Sequence, residues 1–308
     1  MNVSLKLRKK ESDLPSQFIV VREIHNQYKE GHHFLMQDTS SGSVLMKKAY
    51  IMDTPEQVND LADKLQPDKS HKNVIKFVDY SLVVKSNFCS KLFQVDLFYE
   101  YPLNDLYQEW QIKKAKSQVL HEEVMQLMYD VLSGLLFFER NFGGHGLLQL
   151  FSVFKAQKDY KISNKRDFDE ARQIYVNYVY DKPDLVMVVA PELLQAVAGS
   201  TRFDALDWAR VDSFHLGMIL LIYGNLRNND KLVDVYKFKF NSEELKRELE
   251  FFGSKFRKKN GLLVEIVERL VVEDPGERLA PSELANIIPK AEEYSQVIID
   301  KNRSKDFI

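Results

Sequence analysis

The sequence predicts an α+β protein in two lobes: a small antiparallel sheet with one helix, then a larger and mainly helical part. Three observations carry this. Short runs rich in β-branched and aromatic residues, divided by turn residues, fill positions 17 to 99. Longer apolar stretches of helical length dominate from Leu120 onward. The 308 residues also suffice for about two domains.

In the first part, Gln17 to Ile24 and His33 to Gln37 read as strands. Asp38-Thr-Ser-Ser-Gly-Ser43 is a turn cluster, and Val44 to Tyr50 is the next strand. Thr54 can cap a helix that Pro55 opens, because proline at the first helical position loses no hydrogen bond. That helix ends near Leu65, ahead of Pro67. Strands follow at Val74 to Tyr80 and Leu92 to Tyr99.

In the second part, Leu120 to Phe138 is apolar on more than one face and reads as a buried helix. Phe151 to Ile162 reads as two short strands around Gln-Lys-Asp. Val211 to Tyr223 is an apolar helix, with Asp212 placed at its start where the helix dipole favours an acid. Asn241 with Glu244 caps a helix running to Phe252, and Leu262 to Val272 and Pro281 to Ile288 are further helices. The expected divisions are a flexible arm at 1–16, a small lobe at 17–101, a large lobe at 102–294 and a tail at 295–308.

Composition excludes several classes. Forty-three Lys plus Arg against 45 Asp plus Glu gives a net charge of -2, which does not suit a nucleic-acid binder. No apolar run is long enough to span a bilayer. Cys89 is the single cysteine and cannot form an internal disulfide, so nothing points to an oxidising compartment. Met1 to Lys10 lacks the apolar segment of a secretory signal; a disordered arm and a weak amphipathic presequence are the two readings. Only 12 glycines are present, which counts against several Gly-rich loops. The pair His32-His33 has no Cys or carboxylate at ligand spacing, so zinc is not expected.

Several motifs, in order, resemble those of eukaryotic protein kinases. Ala190-Pro-Glu192 is similar to the family's Ala-Pro-Glu, and Asp212-Ser-Phe-His-Leu-Gly217 to its Asp-x-Trp/Phe-Ser-x-Gly, with His215 in place of serine. Asp274-Pro-Gly-Glu-Arg278 is similar to its Asp-Pro-x-x-Arg. His71-Lys-Asn-Val-Ile75 resembles the His-Pro-Asn-Ile-Val stretch, and Leu97-Phe-Tyr-Glu-Tyr101 the strand entering the hinge. The resemblance covers about residues 17 to 290. It implies a bilobal kinase-like fold, an Arg278–Glu192 ion pair, an Asp212 that holds loop backbone, and Tyr99 as gatekeeper behind a nucleotide pocket. The 20 residues from Glu192 to Asp212 imply an enlarged loop around Leu194 to Ala209.

Phosphoryl transfer needs a carboxylate at the acceptor hydroxyl and metal ligands with charge. The family carries these in His-Arg-Asp-x-x-x-x-Asn and Asp-Phe-Gly. The matching segment here is His145-Gly-Leu-Leu-Gln-Leu-Phe-Ser152, followed by Tyr160-Lys-Ile-Ser-Asn-Lys-Arg166. Leu147 stands at the base position and cannot accept a proton. Gln149 replaces the phosphate-contacting lysine, Ser152 the metal-binding asparagine, and Asn164 the metal-binding aspartate, whose charge is what holds magnesium. Leu147 and Leu150 read most simply as core, and His145 as a structural histidine.

Lys165 and Arg166 read as a solvated loop or an anion site. In the region matching the Gly-rich loop, only Gly31 remains. Lys47 of Val44-Leu-Met-Lys47 reads either as a surface lysine or as the best match to the phosphate lysine, with Glu56 and Asp60 as candidate partners.

The resemblance with these losses implies a non-enzyme: a pseudokinase with no catalytic, cofactor-binding or metal-binding residues. It would act as a protein-binding scaffold or a structural component of a larger assembly. Relatives of this kind include cytoskeletal components, and the expected setting is cytoplasmic, without nucleic acid or membrane insertion. Two alternatives remain. One is a nucleotide-binding pseudokinase that regulates a partner kinase. The other is an unconventional phosphotransferase using Asp167, Asp169 or Glu170 around Phe168. Candidate contact surfaces are the enlarged loop and the stretch from Tyr223 to Phe252, where Val233, Tyr236, Phe238 and Phe240 alternate with polar residues. Phe251 and Phe252 are candidate anchors or packed side chains.

Overall fold

The computed structural model describes residues 18–23, 32–65, 70–86, 91–101, 104–164, 168–181, 188–227, 231–234 and 236–288. The chain divides into two compact units, 1–103 and 104–308.

In the first unit, strands β1 (Phe18–Glu23), β2 (His32–Asp38), β3 (Val44–Met52), β4 (Phe77–Ser86) and β5 (Lys91–Glu100) form an antiparallel sheet in the order β1-β2-β3-β5-β4. Helix α1 (Pro55–Leu65) packs on β3 and β5. Its first turn is fastened at Thr54, whose Oγ1 accepts from Gln57 N at 3.3 Å, while Gln57 Oε1 accepts from the Asp53 and Thr54 amides. The β2–β3 turn closes through Asp38, which receives Ser40 and Ser41 donors. The fourth strand begins later than its sequence suggests. Val74 to Lys76 stay outside it, and pairing with β5 continues to Ser86 past a bulge at Phe77/Asp79.

The second unit begins with β6 (Asn104–Asp105), which pairs with β7 (Val153–Ala156), itself paired with β8 (Asp159–Ile162). Helices α2 (Leu106–Lys116), α3 (His121–Phe142), α4 (Phe168–Asp181), α5 (Pro191–Val197), α6 (Trp208–Asn225), α7 (Ser242–Phe256), α8 (Gly261–Leu270) and α9 (Pro281–Ile287) supply the rest, with a two-residue ladder of β9 (Val233–Asp234) and β10 (Lys239–Phe240). The architecture is therefore α+β, a five-stranded sheet with one helix followed by a mainly helical region.

The core of this unit is built on α6. Every residue from Val211 to Asn225 is buried, so the helix is apolar on all sides and packs against α3, α7, α8 and α9. It starts four residues before Asp212, which corrects the sequence reading. Asp207 caps it by accepting from the Ala209 and Arg210 amides, and that leaves the Asp212 carboxylate, inside the helix, for other work. Asn241 caps α7 through Glu244 N, as its sequence position implies.

Helix α4 has no counterpart in the sequence reading. Phe168, Ala171, Ile174, Tyr175, Tyr178 and Val179 recur at helical spacing, and all but the half-buried Phe168 are buried. The 1–16 arm, the 295–308 tail, Cys89, Gly31, Lys165, Arg166 and Asp167 lie outside the described residues.

Candidate functional site

In the first unit the best-matched residue is Lys47. Strand alternation puts it on one face of the sheet with its cross-strand neighbours Phe34 and Phe98, and with Asp96 on the diagonal. Its Nζ lies 3.3 Å from Asp96 Oδ2 and 4.9 Å from the Phe34 ring centroid. The partner is thus a sheet carboxylate and neither Glu56 nor Asp60, both of which are exposed on α1. Helix α1 supplies no acid there; β5 does. Tyr99 pairs in register with Met46, so it stands on the opposite face from Lys47. There its ring meets Phe77 edge-on at 5.5 Å. Lys47 and Tyr99 therefore do not share one face of a nucleotide pocket, because a one-residue step along a strand reverses the side.

In the second unit, His145 to Ser152 form the segment matched to catalysis. Asp212 reaches this segment from α6. Its Oδ2 accepts from His145 N at 2.5 Å, and its Oδ1 from Gly146 N at 3.2 Å. Burial pushes the Asp212 carboxyl up to about 7, against those two amide donors, which favour the charged form. The His145 ring accepts from Leu147 N at Nδ1, so Nε2 carries the proton and donates to Ser163 O at 2.9 Å. Histidine and aspartate thus shape the backbone, as their positions imply.

The remaining matched positions are also committed to structure. Leu147 is 2% exposed and packs in the core with Leu148 and Leu150. Gln149 is 0% exposed; its amide forms a two-point clamp on the Val188 peptide, donating to Val188 O at 2.7 Å and accepting from Val188 N at 2.8 Å. It also donates to Tyr175 Oη at 3.1 Å. The Ser152 hydroxyl accepts from Gln149 N at 2.7 Å and donates to Gln149 O at 2.9 Å. Helix α4 packs on this segment at Gly146: Phe168 and Ala171 press there, where a Cβ would stand 3.0 Å from the Phe168 ring. The Phe168 ring in turn stacks on Trp208 at 4.8 Å.

The stretch after Val188 is anchored in the same manner. His215 Nε2 accepts from Ala190 N at 3.3 Å. Burial, with the Arg278 charge nearby, lowers the His215 imidazole to about 3, so it stays neutral. Glu192 meets Arg278 through two nitrogens, at 2.5 and 3.1 Å. The buried guanidinium also donates to the carbonyls of Val272, Arg210 and Glu273. Sequence reasoning anticipated this pair and the Asp212 role. It missed the Gln149–Val188 clamp, for which a polar residue amid leucines was the available signal.

Among the described residues no cluster of three or more His, Cys, Asp or Glu side chains could hold a metal, and no helix is long and apolar enough to cross a membrane. The side chains of Asp169 and Glu170 lie outside the described residues, although their backbone belongs to α4. Fold and site together define a two-unit α+β protein consistent with a generic kinase-like plan. No protein-family model matches the chain, and no curated protein matches it.

Proposed function

We propose that this protein is a catalytically inactive relative of the protein kinases that works by binding other proteins, as a scaffold or a structural part of a larger assembly. The observation that carries this reading is the burial of Leu147, Gln149 and Ser152, with the Gln149 and Ser152 polar groups consumed internally. A general base must come within about 3 Å of the hydroxyl it deprotonates. Leu147 offers no lone pair, and its position is closed to an acceptor. What persists of the motifs is what builds the fold: Glu192, Asp212, Gly217 and Arg278. A retained scaffold without the chemistry acts through its surface. Near-neutral charge favours protein partners over nucleic acid. A cytoplasmic setting, with cytoskeletal assemblies among the candidate destinations, belongs to the same reading.

The pairing of Lys47 with Asp96 favours a second reading, nucleotide contact without turnover, since a phosphate lysine is held by an acid in the family. One experiment addresses both. Purified protein is incubated with magnesium and ATP, turnover is followed against protein amount, and thermal unfolding is recorded with and without the metal. The expected outcome is no turnover in proportion to protein. Proportional turnover would overturn the scaffold reading, and a magnesium-dependent thermal shift without turnover would establish the second.

A further inference from the structure

The β9–β10 hairpin presents one aromatic side chain to solvent. Tyr236 is 82% exposed, and hydrogen bonds at Asp234 and Asn241 fasten the backbone on either side of it. Asp234 Oδ1 accepts from the Tyr236 and Lys237 amides at 3.2 and 3.1 Å. Asn241 ties the base of the hairpin to Leu232 O and Lys231 O. Phe240 meets the Phe214 ring edge-on at 5.6 Å. A tyrosine has few side-chain rotors to order on docking and is a common energetic anchor of interfaces. The sequence from Asp230 to Phe240 carries Lys231, Lys237 and Lys239 against Asp230 and Asp234, and Lys237 is paired with Asp234 at 3.5 Å, so the surplus is a single positive charge.

The same unit carries the complementary shape. A groove of about 570 Å³ lies between α5, the loop before α6 and residues 273–276. Pro191, Leu206 and Pro275 give it apolar walls. Glu192, Asp207, Glu273 and Asp274 border it, and Glu283 stands behind, bonded to Arg210. Two guanidinium groups face these five carboxylates. Arg278 is spent on Glu192, and Arg210 on Asp207, Glu283 and Pro275 O. The groove is therefore apolar with an acidic surplus, and the hairpin tip is aromatic with a basic surplus. Strand β10 rests on α5, and α5 forms one wall of the groove, so both features border one helix.

We propose that this face binds a second copy of the chain, the Tyr236 tip of each copy entering the acidic groove of the other about a two-fold axis. Two such contacts related by a two-fold axis close into a dimer, whereas one contact repeated without that axis would build a filament. The inference gives the binding-module reading a specific partner and rests on that reading.

Sedimentation equilibrium of the full chain tests it, with Tyr236→Ala at the tip and Gln195→Lys at an exposed groove position on α5. Wild type is expected to dimerise, and more weakly at high salt. Each variant is expected to weaken the dimer by roughly tenfold or more. Mixing the two variants is expected to restore part of the dimer, because one intact tip then meets one intact groove. Circular dichroism confirms that each variant is folded. A wild-type chain that stays monomeric up to roughly 100 µM would overturn the proposal. So would a dimer indifferent to both variants, or a mixture that recovers nothing. None of these results touches the turnover measurement, so the non-catalytic reading would survive them.

Discussion

At Leu147, one aliphatic side chain serves the core at a position where a kinase keeps an acid. The consequence is testable by restoring the acid. Leu147→Asp would place a carboxylate where 2% of the side chain is exposed, among leucines, and would destabilise the protein by about 3 kcal/mol or more. Urea unfolding reads that loss, and a turnover assay on the same variant is expected to show no gain. A variant of unchanged stability that hydrolyses ATP would mean that the segment is open. Residues of this kind were legible in the sequence because their meaning is local: leucine has no lone pair wherever it sits. The Arg278–Glu192 pair was legible through a motif that spans 86 residues. The partner of Lys47 was not. Asp96 lies 49 residues away, and only the register of β3 against β5 brings it onto the same face. Register is a property of the assembled sheet, and it also separates Tyr99 from Lys47.

Between elements, the crossing of α6 and α8 depends on Gly217. A Cβ there would stand 2.7 Å from both Leu270 Cβ and Val271 Cγ1. The motif glycine therefore permits close approach of two helices; its own backbone is ordinary helix. Gly224, seven residues on, does the same for α7, where a methyl group would overlap the Phe252 ring. Gly217→Ala is expected to cost about 1–3 kcal/mol through overpacking, although alanine is the better helix former, and chemical denaturation would measure it. A stabilised variant would contradict the packing. Most helices and strands were legible from periodicity and caps, as Asn241 at the start of α7 illustrates. Helix α4 was not legible, because it begins within a run of charged residues, Lys165 to Glu170, broken only by Phe168. The apolar spacing of Phe168, Ala171, Ile174, Tyr175 and Tyr178 carried the helical signal throughout. Of the hairpin stretch, Tyr236 is exposed while Phe240 and Val233 are half-buried, and Phe252 is packed inside the unit.

For the molecule as a whole, two buried groups on α6 oppose each other in their response to pH. Asp212 titrates near 3.8 when unfolded and at about 7 when folded, raised by burial and by the charges of Asp207 and Glu139. Its contribution to stability is fully present below about pH 4 and is lost as pH rises through 7. His215 titrates near 6.5 when unfolded and at about 3 when folded, lowered by burial and by the charge of Arg278. Its contribution is fully present above pH 6.5 and is lost as pH falls through 3. Across the shared window, from about pH 4 to 6.5, one group gains what the other loses, each by at most about 1.4 kcal/mol per pH unit. The contributions of the two groups therefore nearly cancel in the wild-type curve. Asp212→Asn removes one side of the balance, so stability would rise with pH through that window. It would also carry a pH-independent loss of about 1–3 kcal/mol, since one of the two amides at His145 and Gly146 loses its acceptor. His215→Gln removes the other side, and stability would then fall as pH rises. Urea midpoints measured at intervals across the window would show slopes of opposite sign for the two variants. Parallel curves would mean that neither group changes its proton affinity on folding, and that Asp212 and His215 sit buried on α6 without any linkage to pH.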